Sequence, residues 1–344
     1  MTFSDLKALR PDIQITREEM LWREDTATVP FKITRHFASL IDADDPSDPI
    51  RRQSVPTCLE NSKAGNYETL DPQQEEQHLI APRLVHRYQG TAAFLTTDYC
   101  AMYCRHCFRR RFTGGMAGPA ADQEIQAAAK ALSENLQIKE VLLTGGDVLT
   151  LSHDQLRYLI SSFRQARPDL VLRVCTRIPI VDPDRIDASL IQLLESFDTA
   201  PFYVMLQVNH PRELTDKALR AVRLFTDSGF PVLDQTVLLK GVNDNVLILK
   251  ELFEKCIANR IIPYYLFQAD LVSGTASFRV PLSESLRIYK DLKPLLSGLA
   301  YPKLALDLPN GGGKVNFSTD SYIEEDGWFL FDGPDGRKHR YPKD

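Results

Sequence analysis

The sequence predicts an α/β protein built on a complete or incomplete (β/α) barrel. Three observations point there. Six strand-like runs between residues 92 and 268 are apolar almost throughout, helix-like runs separate them, and polar and glycine residues gather just after the strand-like runs. Near-continuous apolar strands suit a parallel sheet covered on both faces. Alternation with helices suits β/α units.

The elements follow in chain order. Residues 1–80 read as a mainly helical N-terminal extension. SDLKALR and TREEMLWRED carry helix formers, with Ser4 and Thr16 placed where N-caps would stand. DADDPSDPIRRQ, Asp42 to Gln53, is a turn punctuated by Pro and Asp that runs into a basic segment. Residues 81–300 form the expected barrel core. Its strands are AAFLTT (92–97), EVLLTG (140–145), LRVCTR (172–177), FYVMLQV (202–208), VLDQTVLL (232–239) and PYYLFQ (263–268). The intervening helices are DQEIQAAAKALSENL, HDQLRYLISSFRQA, DASLIQLLESF, DKALRAVRLFTDSG and NVLILKELFEKCIANR. Residues 301–344 make a short C-terminal segment.

Spacing alone does not separate a barrel from a doubly wound open sheet. In both layouts function collects at the C-terminal ends of the strands. The chain obeys that rule. Three cysteines follow the first strand, TGGD (Thr144 to Asp147) ends the second and Thr176–Arg177 the third. QVNH (Gln207 to His210) ends the fourth, and FQAD (Phe267 to Asp270) the sixth.

Composition narrows the function classes. The 344 residues are 43% hydrophobic and 25% charged, with a formal net charge of -5. That length allows one large barrel with appendages or two domains. No basic excess exists to hold a nucleic-acid backbone. The N-terminus lacks the pattern of a secretory signal, and no run of about 18 apolar residues suggests a membrane span. A cytoplasmic enzyme is expected. That compartment keeps thiols reduced, so clustered cysteines read as metal ligands or redox groups.

Cys100, Cys104 and Cys107 stand in the stretch DYCAMYCRHCFRRRF with C-x3-C-x2-C spacing. A structural zinc needs four closed ligands, and no fourth cysteine is near. A redox pair of Cys104 and Cys107 leaves Cys100 unexplained. A four-iron cluster fits better: it normally takes four thiolates, and with three it keeps one iron open to a ligand. The second strong signal is ALDLPNGGGKVNF, Ala305 to Phe317. It is not a Walker loop, because Leu308 and Val315 stand at that pattern's first glycine and its Ser/Thr. A flexible surface turn is the plain alternative.

The cysteine loop after a first barrel strand resembles the radical S-adenosylmethionine superfamily. Together MYCRHCFRRRF, LTGGD, NHP, GVNDN and PNGGGK resemble its lysine 2,3-aminomutase family through most of residues 40–320. The resemblance implies a partial (β/α)6 TIM-type barrel. It also implies a [4Fe-4S] cluster on Cys100, Cys104 and Cys107 whose open iron binds S-adenosylmethionine. Reduction then yields a deoxyadenosyl radical. His106, Gly145, Gly146, Asp147 and Gln235 would contact S-adenosylmethionine. Lys314 would form a Schiff base with pyridoxal 5'-phosphate, which Arg87 and Tyr88 would also hold. Arg109 would bind the substrate α-carboxylate, while Asp270 and Asp307 would hold a distal ammonium. Arg110 and Arg111 are expected to be structural or solvated.

Two aspartates favour L-lysine over glutamate. The implied reaction is 2,3-amino migration to β-lysine, an isomerisation. Glutamate or arginine as substrate, or a non-catalytic electron-transfer or sensing role, are the alternatives. An external one-electron reductant and a homo-oligomer are the implied partners. Three departures stand out. Thr91 replaces a family arginine near the cofactor phosphate, Asn310 replaces a glycine, and Asn245 replaces a zinc-ligating cysteine of longer members. With no cysteine in the tail, no structural zinc is expected. Cys58, Cys175 and Cys256 read as buried residues.

Overall fold

The structure, a computed structural model, describes residues 2–9, 13–61, 65–318, 322–332 and 337–342. One ten-stranded sheet organises it. The strands are β1 (Leu79–Ala81), β2 (Leu84–Tyr88), β3 (Thr91–Thr97), β4 (Glu140–Gly145), β5 (Val171–Thr176), β6 (Phe202–Leu206), β7 (Val232–Leu238), β8 (Ile261–Gln268), β9 (Lys303–Leu308) and β10 (Gly313–Phe317). They lie side by side in chain order. Strands β3 to β9 are parallel, and an antiparallel strand or hairpin flanks each end.

Six helices of eight residues or more cross between the parallel strands: α1 (Asp122–Glu134), α2 (His153–Ala166), α3 (Ala188–Glu195), α4 (Asp216–Asp227), α5 (Val246–Ala258) and α6 (Leu282–Leu292). The result is six β/α units closed by a seventh parallel strand. This is the partial barrel the sequence predicts, with one strand (β9) and one helix (α6) more than its apolar runs suggest.

Local chemistry fixes the helix starts. Ser152 and Gln155 form a reciprocal capping box on α2, and Asp187 and Thr215 cap α3 and α4. Asn245 accepts from the Leu247 and Ile248 amides and so caps α5. Alternation within the strands then separates two faces. Leu172 and Val174 of β5 join the main apolar core, as do Phe163 of α2 and Leu190 of α3. Arg173 and Cys175, between them, line a central cavity.

The extension departs from its expected helical character. Its α-helices, Arg17–Met20, Arg35–Ala38 and Pro49–Ser54, have four to six residues, Thr2–Phe3 pairs with Ile33–Thr34 as a two-stranded antiparallel sheet, and the other described residues up to 78 form short 3-10 turns and irregular chain. Runs of helix formers this short do not hold a helix alone, and Pro30, Pro46 and Pro56 stand between them. Thr16 makes the expected cap, in a capping box with Glu19. Ser4 precedes only a 3-10 turn, Leu6–Leu9, and Arg10 at the end of that run lies outside the described residues. Tertiary packing orders the segment instead: Phe31, Ile33, Phe37 and Ile50 are buried in the main core. A buried Arg51–Glu19 pair at 2.7 Å adds to it.

The sheet does not close through backbone pairing. Its two ends meet through side chains. Tyr88 donates to Asp307 Oδ1 at 3.2 Å, and Arg87 Nη1 lies 3.7 Å from the same oxygen. The Asn310 amide also donates to the Pro72 carbonyl at 3.1 Å. Asn310 takes φ 56°, a left-handed backbone that asparagine tolerates better than most residues. Beyond the sheet, β11 (Tyr322–Glu325), β12 (Trp328–Asp332) and β13 (Lys338–Pro342) form a small antiparallel sheet. No helix among the described residues is long and apolar enough to cross a membrane.

Candidate active site

A cavity of about 660 Å³ lies within the curl of the sheet. All the sequence-predicted site residues line it: Cys100, Cys104, Cys107, His106, Gly145, Gly146, Asp147, Gln235, Arg87, Tyr88, Lys314, Arg109, Asp270 and Asp307. They come from positions more than 200 apart in the chain, and the parallel strands bring their C-terminal ends to one place.

The cysteine loop leaves β3 and packs on the end of β4. Gly146 donates to the Thr97 carbonyl at 2.5 Å, and Asp147 donates to the Tyr99 carbonyl at 2.8 Å. A Cβ on Gly146 would stand 2.2 Å from the Tyr99 carbonyl oxygen. Gly145 has φ 110°, and its Cβ would meet the Thr97 carbonyl at 2.7 Å. The two glycines therefore let backbone meet backbone, a second use beside close approach to a ligand.

Asp147 is also committed within the protein. Its carboxylate accepts from Thr176 Oγ1 at 2.8 Å and from the Arg177 and Leu149 amides at 2.7 and 3.0 Å. Burial raises its pKa against these bonds. It ties the β4 and β5 ends together below the loop.

The thiols suit a multi-iron group. Burial pushes Cys100 well above the usual thiol range, and Asp147 and the other two thiols push it further. Burial and Cys104 raise Cys107. Three clustered, half-buried thiolates would repel one another without a shared cation, which a metal cluster supplies. No three His, Cys, Asp or Glu groups among the described residues converge on a single-ion site. Lys32 Nζ donates to the Cys100 carbonyl at 3.0 Å, and Arg177 Nη1 donates to Cys104 Sγ at 2.8 Å.

His106 is buried, and burial with nearby Arg177 and Arg110 lowers its pKa well below normal. The side-chain amides of Gln207 and Asn209 lie 3.4 and 3.3 Å from Nε2. Those amide donors make Nε2 the acceptor, so the ring proton sits on Nδ1. Nδ1 is buried without a protein partner. A hydrogen-bonding ring such as adenine fits that donor.

The opposite side of the cavity carries Lys314 on β10. Its ammonium lies 2.5 Å from Asp307 Oδ2 and 4.3 Å from the centre of the Phe267 ring. Arg87 is buried, and its Nε and Nη2 have no protein partner. An unsatisfied buried guanidinium edge suits a phosphate, so these residues fit pyridoxal phosphate although Thr91 supplies no charge. Asp270 accepts from Gln73 Nε2 at 3.3 Å. Burial, then the charge of Asp307, raises its pKa to about 6.

Arg109 is held from the extension. Nε and Nη2 donate side-on to Glu75, the shortest bond being 2.7 Å, and Nη1 donates to Thr144 Oγ1 at 3.0 Å. That leaves further Nη hydrogens for an incoming carboxylate. Arg111 pairs with Asp71, Glu75 and Glu76. Arg110 is buried on Glu60 and the Gly274 carbonyl, both at 2.6 Å. Of the other cysteines, Cys256 is buried, Cys58 is half-buried, and Cys175 lines the cavity with burial raising its thiol to about 12. Sequence reasoning missed Gln73, Glu75 and Arg177. Only Arg177, at a strand end, carried a signal that could have found it.

Comparison with known proteins identifies the family. The profile of the Radical SAM superfamily matches residues 94–252. The L-lysine 2,3-aminomutase of Clostridium subterminale is 38% identical over 324 residues, covering 93% of this chain and 76% of that protein. The L-lysine 2,3-aminomutase of Bacillus subtilis is 37% identical, covering 94% of this chain and 68% of that protein. A glutamate 2,3-aminomutase of Clostridioides difficile is 33% identical over 91% of this chain and 73% of its own length. These matches run through the extension, the barrel and the lysine hairpin alike, and the chain belongs to the lysine 2,3-aminomutase family of the radical S-adenosylmethionine superfamily.

Proposed function

We propose that this protein is an isomerase that converts L-lysine to β-lysine by 2,3-amino migration. One observation carries the reading: a single cavity joins the three-thiol loop to a lysine and two carboxylates on the facing strands. In this reading Cys100, Cys104 and Cys107 hold a [4Fe-4S] cluster. His106, Gly145, Gly146, Asp147 and Gln235 surround S-adenosylmethionine, and Lys314, Arg87 and Tyr88 hold pyridoxal phosphate. When bound, these groups supply a hydrogen-abstracting radical and a conjugated ring over which nitrogen can migrate.

The chain's own residues position and protect. Arg109, fixed side-on by Glu75, would take the α-carboxylate. Asp270 would take the distal ammonium, with Asp307 beside it. Clamping both ends places the β-carbon, and a misplacement of about 1 Å could cost on the order of a hundredfold in rate. Phe267, Tyr265 and Phe278 on the cavity wall limit water near reactive intermediates. Asp307 holds the Lys314 side chain at 2.5 Å against the Phe267 ring, so its nitrogen is fixed at the cavity wall. Two buried carboxylates would repel a glutamate side chain.

Residues 1–80 would brace the site, 81–300 would carry the cluster and substrate clamp, and 301–344 would carry the cofactor lysine. An external one-electron reductant, a homo-oligomeric assembly and a cytoplasmic location complete the proposal, the reductant being what the family's radical chemistry requires. The test is an anaerobic assay of reconstituted protein with S-adenosylmethionine, pyridoxal phosphate, a reductant and isotopically labelled L-lysine, followed by NMR. β-Lysine is expected. Turnover of glutamate or arginine with none of lysine would overturn the substrate. The absence of both bound pyridoxal phosphate and deoxyadenosine would favour a non-catalytic cluster protein.

A further inference from the structure

Arg177 has no place in the substrate clamp, yet it is buried beside the cluster loop. Its Nη1 donates to Cys104 Sγ at 2.8 Å. Its Nη2 donates to Glu213 Oε2 at 2.8 Å and to Gln53 Oε1 at 2.7 Å. Glu213 is fully buried. Gln53 Nε2 and the Asn209 amide donate to its other oxygen at 2.9 and 3.3 Å. The carboxylate holds one edge of the guanidinium, and another edge faces the thiol. Gln53 comes from the extension, and its carbonyl accepts from the Arg105 amide inside the cysteine loop at 2.9 Å. Loop and charge pair are therefore held in one frame.

We infer that the Arg177–Glu213 pair sets the reduction potential of the cluster on Cys100, Cys104 and Cys107, with Arg177 raising it and Glu213 lowering it. The inference rests on the reading that this loop holds the cluster. Reduction adds one electron, from the external donor, and breaks no bond. The reduced cluster carries one more negative charge. A guanidinium N–H on a ligand sulfur stabilises that charge, and hydrogen bonds to cluster sulfurs are an established lever on potential. The buried setting leaves the effect poorly screened by water. Glu213 sits across the guanidinium from the sulfur, so it opposes the effect from further away without cancelling it.

The test is a redox titration of full-length, anaerobically reconstituted protein without S-adenosylmethionine. The reduced cluster is followed by EPR, with iron and sulfide counted for every variant. Arg177→Gln is expected to disfavour reduction at least tenfold, a shift of about 59 mV to lower potential. Arg177→Lys should fall between it and the unaltered protein. Glu213→Gln should shift the other way, because it removes the opposing charge. A purely structural role would lower iron content in both variants and give no opposite signs. Where Arg177→Gln holds too little iron, the sign for Glu213→Gln decides. An unchanged or lowered potential in Glu213→Gln with full iron content would overturn the inference. Unaltered protein that assembles no four-iron cluster would refute the cofactor reading itself.

Discussion

Asp270 is where the site works against the fold, and replacing it should show this. Burial and the neighbouring charge of Asp307 raise its pKa from 3.8 to about 6. The unfolded chain ionises this carboxyl near 3.9. Above pH 6 the folded protein must therefore keep a charge that the unfolded chain keeps more easily. A gap of about two units corresponds to a destabilisation of about 3 kcal/mol at pH 7.5. The penalty fades as pH falls through 6 toward 4, to about 1.5 kcal/mol at pH 5.

Asp270→Asn keeps an oxygen for Gln73 and removes the charge. It should make the protein more stable by about 3 kcal/mol at pH 7.5 and by about half that at pH 5. The assay is urea unfolding of both proteins at the two pH values, with the cluster loaded and pyridoxal phosphate omitted. Lysine turnover should fall at the same time. A variant no more stable than the original, or a gain that does not shrink at pH 5, would refute the reasoning.

Three further outcomes are expected. Cys104→Ala should lose the cluster and with it cleavage of S-adenosylmethionine, read as iron content and deoxyadenosine yield. Lys314→Ala should lose the visible absorbance of bound pyridoxal phosphate while keeping its iron; unchanged absorbance would remove the lysine from its role. Gly146→Ala must push the Tyr99 carbonyl away from a Cβ that would stand 2.2 Å from it. It should destabilise the fold by about 1–3 kcal/mol and lower iron retention, measured by denaturation and iron assay.

Much of the barrel was legible because its parallel strands are mostly apolar, with polar side chains such as Arg173 on the cavity face, and so read as long apolar runs. The run KLALDL of β9, which carries Asp307, is short and leads directly into the PNGGG turn, so it reads as the approach to a loop rather than as a strand. The extension was misjudged because helix formers there are scattered among prolines, and its order comes from distant packing. Cys100, Cys104, Cys107 and Lys314 stood out through local spacing. Gln73, Glu75 and Arg177 did not. Each acts through a partner 30 or more positions away, Glu75 on Arg109 and Arg177 on Cys104 among them. No local periodicity encodes such pairs.

The way the sheet's ends meet has a mechanical consequence. Nine neighbouring strand pairs are laced by backbone bonds, but the tenth junction is a seam stitched by Tyr88, Arg87 and Asp307. A few side-chain contacts, each worth roughly 1 kcal/mol net, part far more readily than a backbone ladder. The curl is therefore held most weakly along that one line. Arg87 stands on one lip of that seam and Lys314 on the other. A molecule gripped by both would bolt it closed.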